Sequence, residues 1–418
     1  MREYYRKDIM DRKPSDKRIE LLAPAGDLKR AKTAILYGAD AVYLGGMRFS
    51  LRSRASNFTM EDIREACEFA HAHGSKIHVT VNMIPHDEDF DGLEEYLREL
   101  EALGVDAIIS ASPAVMALAR RNTQRMEIHC STQMSVTNAA AADWLKETLG
   151  IDRVVLAREC TMEDVRQITA RCSADTEAFI HGGMCVNISG RCTLSNRMTL
   201  RDANRGGCAQ SCRWMYDLYE DGRKINDETQ FTMGSKDLFT ADRIADLIEA
   251  GVSSLKIEGR MKTEYYVASI VSGYRHLIDE IYENGGKLSE ERMAYHRAQI
   301  MKGENREVCE GFYPGTAGAG TIIRNTASDA SVNHGFLATV LAFDESNMTA
   351  VIETRNPFDL GDEMEMLSPG RNCQRFVLQS MKLEETGEQI ELSRRPMAHL
   401  VIPVPFVLHE GDILRKAV

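Results

Sequence analysis

Four cysteines crowd one stretch of the chain: Cys185, Cys192, Cys208 and Cys212, separated by six, fifteen and three residues. Four thiolates can close a tetrahedral zinc site or hold an iron–sulfur cluster. Structural zinc sites favour short knuckles. The Cys208/Cys212 pair meets that demand, whereas the Cys185/Cys192 pair is too wide. A cubane cluster takes ligands from loops that wrap around it. Gly183, Gly190, Gly206 and Gly207 would let backbone amides approach its sulfurs. On spacing alone the two readings stand about even. No C-x3-C-x2-C run of the radical-SAM kind and no C-x-x-C redox pair is present. Cys67, Cys130, Cys160, Cys172, Cys309 and Cys373 are scattered and read as small packing side chains.

Hydrolytic signals are weak. The sequence has neither H-E-x-x-H nor G-x-S-x-G, and its histidines do not group at ligand spacing. His181 ends an apolar run just before the cysteines. It is expected at a barrel mouth, as a catalytic group or as a hydrogen-bonding support for the cysteine loop. Lys256 and Glu258 end another such run, "SSLKIEGR", and are catalytic candidates or an interior ion pair. Arg48, Arg52 and Arg54 in "MRFSLRSR", with Arg158 and Arg260 at strand ends, are candidates for binding an anionic substrate. Asn82, Ser131, Thr132 and Gln133 add polar groups at strand ends. The cysteine stretch is itself basic, with Arg191, Arg197, Arg201, Arg205 and Arg213.

These residues need elements to hold them. From Ile19 a short apolar run alternates with a helical stretch about every 25 to 30 residues, as βα units do. The runs are "IELLAPAG", "DAVYLGG", "KIHVTVN", "VDAIISAS", "MEIHCSTQ", "DRVVLARE", "TEAFIHGG" and "SSLKIEGR". Eight such runs predict a (β/α)8 barrel, since no G-x-G-x-x-G follows the first strand to favour a dinucleotide fold. Roughly sixty residues separate the seventh strand from the next clear helix, far beyond an ordinary βα loop. The cysteines open this insertion, which continues into a hairpin turning at Asp221 and Gly222. Loops after barrel strands stand over the C-terminal face, so the cysteines are expected above the mouth.

The organisation read from the sequence is a polar tail over 1–18, a barrel over 19–290 with its insertion at 182–240, and a linker over 291–332. A small all-β domain, read as a β-barrel, follows over 333–418. A net charge of -12 argues against a protein that coats nucleic acid through general electrostatics. No apolar run reaches membrane-spanning length, and the polar start has no apolar secretion segment. A cytoplasmic protein without a membrane partner is therefore expected.

Several strings together resemble the collagenase-like peptidase family U32: "LLAPAGD", "GADAVYLGG", "HGGMCVNISGRCTLS", "GGCAQSCRW", "SKDL" and "SLKIEGRMKTEYYV". The resemblance spans Ile19 to Tyr274 and continues in a β domain like the family's. It is strongest to members that hydroxylate tRNA. It implies a 4Fe-4S cluster on Cys185, Cys192, Cys208 and Cys212. It further implies oxygen-independent formation of 5-hydroxyuridine at the tRNA wobble position, with prephenate as co-substrate. The expected partners are a tRNA anticodon loop, prephenate, and a protein partner or a second copy of the chain. Prephenate is a dicarboxylate, which the five arginines named above would suit. A flipped uridine would stack on an aromatic ring, with Trp214 and Tyr43 as candidates. The alternatives are a peptidase, as the family name says, an rRNA hydroxylation factor, and a zinc-stabilised RNA-binding adaptor.

Overall fold

The computed structural model describes residues 18–51, 57–226, 230–323, 335–371 and 373–417. Arg52 and Arg54 lie outside the described residues. Eight parallel strands form a closed barrel: β1 (Glu20–Pro24), β2 (Ala41–Gly45), β3 (Lys76–Val81), β4 (Ala107–Ser110), β5 (Glu127–Cys130), β6 (Arg153–Val155), β7 (Asp175–Gly182) and β8 (Ser254–Ile257). Each pairs with the next in sequence. β8 closes the ring between β7 and β1, with Leu255 opposite both Ala178 and Leu21. These are the eight predicted runs.

Helices α1 (Leu28–Leu36), α2 (Met60–Ala72), α3 (Leu93–Ala102), α4 (Pro113–Asn122), α5 (Ala139–Leu149) and α6 (Met162–Arg171) fill the first six connections. Their starts are set locally. Asp27, Thr59, Ser112, Asn138 and Thr161 each cap a helix by accepting a backbone N–H. Thr59 and Thr161 do so within reciprocal capping boxes, with Asp62 and Asp164.

The insertion after β7 carries α7 (Leu194–Thr199) and a two-stranded hairpin, Tyr219–Glu220 with Arg223–Lys224. Asp221 and Gly222 turn that hairpin in the left-handed region, at φ 46° and 77°. The chain rejoins the barrel through Asp237–Phe239, antiparallel to the end of β7, then α8 (Ile244–Glu249) and β8. α9 (Glu264–Glu283) packs outside β1.

The predicted linker at 291–332 is corrected by the structure. Its described part belongs to the barrel domain. α10 (Glu290–Met301) packs along α9 through His296, Gln299 and Ile300. Val308–Cys309 extends the sheet beside Asp237–Phe239, and Tyr313 donates its hydroxyl to the Phe179 carbonyl at 2.7 Å. The polar surface of α10 masks this buried stripe in the sequence.

Beyond it, seven antiparallel strands wrap a core of Leu337, Val340, Ile352, Met364, Leu400 and Leu414. This domain docks on the barrel helices. The Tyr265 and Phe336 rings stack at 4.9 Å, and buried Glu365 pairs with Lys302 at 2.8 Å and Arg415 at 2.7 Å. Among the described residues no helix is long and apolar enough to cross a membrane.

The barrel interior is charged below its midpoint. Arg153 meets Glu20 at 2.6 Å and Glu177 at 3.1 Å, and Lys256 meets the other Glu177 oxygen at 2.7 Å. Burial alone would raise the Glu177 carboxyl, but Lys256 and then Arg153 outweigh it and hold it at about 2. Burial pushes the neighbouring His78 down to about 3, so its ring stays neutral.

Two outcomes are expected. Arg153→Met leaves two carboxylates short of a partner and costs about 3–5 kcal/mol in denaturant unfolding. The Glu177 contribution has a fixed sign, because the folded value lies below the unfolded one. It is fully present above the ordinary glutamate range near ~4.3 and is lost as the pH falls toward about 2. Unfolding curves across that acid range measure it.

A candidate active site at the barrel mouth

The inward positions of the strands decide what faces the mouth. Tyr43 of β2, Thr80 of β3, Ile109 of β4, Val155 of β6, Phe179 of β7 and Lys256 of β8 surround a cavity of about 220 Å³ at the C-terminal ends of the strands. Lys256 lies at the bottom, its ammonium 4.5 Å from the Tyr43 ring centroid and tied to Glu177 beneath. Burial lowers its proton affinity and Glu177 opposes that.

Two of the predicted arginines enter the cavity wall. Arg158 lies 4.0 Å from the Phe179 ring centroid and donates Nη1 to the Gly183 carbonyl at 2.6 Å. Arg260 is buried and donates to Ser50 Oγ at 3.3 Å and Asn57 Oδ1 at 3.0 Å. It fits because Gly45 has no side chain: a Cβ there would stand 2.1 Å from Arg260 Nη2. Arg48 points away, is exposed, and donates to the Asp91 carbonyl at 3.0 Å. Glu258 joins the lining. The predicted interior partnership of Lys256 with Glu258 is replaced by one with Glu177. Asn82, Ser131, Thr132 and Gln133 also line the cavity. Asn82 and Gln133 hold each other through Nδ2 to Oε1 at 2.8 Å.

His181 is not at the mouth. Strict alternation after Glu177 and Phe179 would aim it inward. Opposite β8, however, β7 carries one extra residue: Lys256 pairs with Phe179 and Ile257 with His181. This bulge turns the imidazole outward, where it is fully buried. Nδ1 meets Tyr274 Oη at 3.1 Å and Nε2 meets Glu304 Oε1 at 2.8 Å. Its role is to fasten β7 to α9 and the segment after α10.

The cysteine loop forms one wall of the cavity. Ser189 binds both Glu159 oxygens, at 3.1 Å from its amide and 3.0 Å from its hydroxyl. Ser135 donates to the Ser189 carbonyl. Gly190 sits at φ 71° against the loop after β5, where a Cβ would be 2.0 Å from the Gln133 carbonyl oxygen. A second clamp joins Arg205 to Asp89, at 2.5 and 3.2 Å. Glu159 and Ser189 escaped the sequence reading. Glu159 follows Arg158 at the end of β6, and that position was the available signal.

Cys185 lines the cavity itself. Burial pushes the Cys185 and Cys212 thiols up, although Cys185 keeps an exposed face. Cys192 and Cys208 push Cys185 the same way, and all three other thiols push Cys212. The four sulfurs therefore share one locality. Asn187 reaches it twice, donating its amide N–H to Cys185 and Nδ2 to Cys192 Sγ at 3.3 Å. Among the described residues, no three His, Cys, Asp or Glu side chains converge on a position for a single ion. Of the two predicted stacking rings, Tyr43 is in the cavity wall, with its hydroxyl bound to the Ile257 carbonyl. Trp214 lies half-exposed on the insertion, outside the cavity lining.

Comparison with known proteins agrees with this architecture. The peptidase family U32 model matches residues 26–322, and the model of the family's C-terminal domain matches 332–415. The tRNA hydroxylation protein P1 of Bacillus subtilis is 39% identical over 98% of this chain and 96% of its own length. The 23S rRNA 5-hydroxycytidine synthase of Escherichia coli is 40% identical over 66% of this chain and 41% of its own length. A collagenase of Porphyromonas gingivalis is 35% identical over 71% of this chain and 73% of its own length. On its barrel and on the domain that follows it, the chain belongs to peptidase family U32.

Proposed function

We propose that this protein is an RNA hydroxylase acting on tRNA. It forms 5-hydroxyuridine at the wobble position without molecular oxygen, using a 4Fe-4S cluster on Cys185, Cys192, Cys208 and Cys212 and prephenate as co-substrate. One observation carries the reading: the four thiols share one locality, and Cys185 is also a wall of the arginine-lined cavity. Similarity along almost the whole length of a tRNA hydroxylation protein supports tRNA over rRNA, since the rRNA synthase is matched over less than half its length.

The donor set suits a cluster: the Cys185/Cys192 spacing is wider than a zinc knuckle takes, whereas loops that wrap a cubane can supply it. A cubane distributes its ligands over separate irons and takes them more widely spaced. Held there, it supplies redox-active iron beside the cavity. The chain's own residues do the rest. Arg158 and Arg260 offer two guanidiniums to a small dicarboxylate, and Lys256 adds positive charge below. Thr80, Ser131 and Gln133 supply hydrogen-bonding groups for orientation. The cysteine loop forms one wall of the space in which the substrates would meet.

A peptidase reading finds less support. Among the described residues no histidine lines the cavity, and Lys256 Nζ is engaged by Glu177. The hydroxyl that does meet a carboxylate there, Ser189 on Glu159, belongs to the contact that seats the cysteine loop.

Mass spectrometry of tRNA nucleosides tests the reading. Deleting the gene should abolish 5-hydroxyuridine, wild-type protein should restore it, and Cys208→Ala should not. Anaerobically purified wild type should be brown with about four irons per chain, and Cys208→Ala pale. A colourless zinc protein with tRNA unchanged by deletion would falsify the reading. In reconstituted reactions, Arg158→Met should raise the prephenate KM about ten- to a hundredfold, the loss of one charge-assisted hydrogen bond.

A further inference from the structure

A second hollow, of about 360 Å³, lies against the first. Gln133 and Gly190 line both, so the two are separated only by that shared wall. The outer hollow runs between the loop after β3 (Ile84, His86), the loop after β5 (Met134) and the insertion (Arg191, Asn204, Arg205). Its walls are fixed. Arg205 is clamped on Asp89 and on the Ile84 carbonyl, and the Ile84 amide donates to the Asn204 carbonyl at 3.1 Å.

The lining residues bear on the occupant. The chain as a whole carries -12, and of the five arginines between Gly183 and Trp214 only Arg191 and Arg205 line the groove, together with Asp202. Asp202 caps the Asn204 amide at 2.8 Å, and Arg205 is bound by Asp89. Arg191 is exposed and is the cation that the groove presents to solvent. Ile84 and Met134 give the same groove apolar faces. An exposed arginine with apolar faces beside it suits one step of a single-stranded nucleic acid: the charge meets a phosphate and the apolar groups meet a base.

A base reaching the inner cavity leaves its neighbours at the rim, and their backbone needs a path outward. We infer that the outer groove binds the single-stranded RNA next to the target nucleotide, with Arg191 taking a phosphate and Ile84 and Met134 contacting a flanking base. This rests on the RNA reading above and adds to it the route by which the strand crosses the mouth. Gly190 is the divide between the two compartments, and its missing side chain keeps the loop seated on Gln133.

The test uses the cluster-loaded full chain, whole tRNA, and the variants Arg191→Glu and Arg191→Lys. For Arg191→Glu the KM for tRNA should rise about tenfold or more, with the KM for prephenate unchanged. The slope of log affinity against log salt should fall by about one. Arg191→Lys should recover most of the loss, because it restores the charge. Iron content equal to wild type shows that the insertion is intact. If tRNA is hydroxylated with the same KM and salt slope in Arg191→Glu, the inference is overturned and the groove is left to a protein partner. If wild type itself hydroxylates no tRNA, the functional reading fails as well, and the two failures are told apart.

Discussion

Glu177 is the hinge of the barrel's interior. Its two oxygens bind opposite neighbours, Lys256 above and Arg153 below, and Arg153 reaches on to Glu20. A carboxylate so deeply buried is tolerated only because both of its oxygens are paired with cations. The consequence is positional. Lys256 cannot swing up into the cavity without abandoning Glu177, and it cannot sink because Arg153 holds the other side. The bottom of the cavity is therefore set by an ion chain running through the barrel, not by the close packing of branched side chains that fills most barrels of this kind.

Above that fixed level the mouth is built by loops, and they are cross-braced. The insertion touches the loops after β3, β5 and β6 through Arg205, Gly190 and Ser189 respectively. Arg158 adds a fourth tie, to Gly183. An excursion of such length could have stood free of the barrel. Here it is drawn across the mouth, which is how residues distant in sequence come to share one wall with Lys256 and Arg260.

The strands were plain in the sequence because each is a short apolar run ended by turn residues, and the insertion was plain because it broke their rhythm. Arg158, Arg260, Lys256 and Glu258 were singled out because they sit where a strand ends, and Cys185 because it belongs to the cysteine cluster. The failures have specific causes. His181 obeys the same rule, but a single added residue in β7 reverses its direction, and a bulge leaves no mark in a pattern of alternation. The partner of Lys256 was missed because Glu177 lies on the neighbouring strand β7, which the long insertion sets 79 residues away in sequence. The stretch after α9 passed for a linker because most of α10 faces solvent and only a thin stripe is buried. Arg48 has the residue type and loop position of a binding group, yet its side chain turns to Asp91.

One loop, from Gly183 to Cys192, is at once a wall of the cavity and the carrier of two of the four thiols. The contacts that seat this loop, Ser189 on Glu159 and Gly190 on Gln133, therefore set the positions of those two thiols and the shape of the cavity together. A substitution that unseats the loop would disturb both at once, so neither can vary independently of the other.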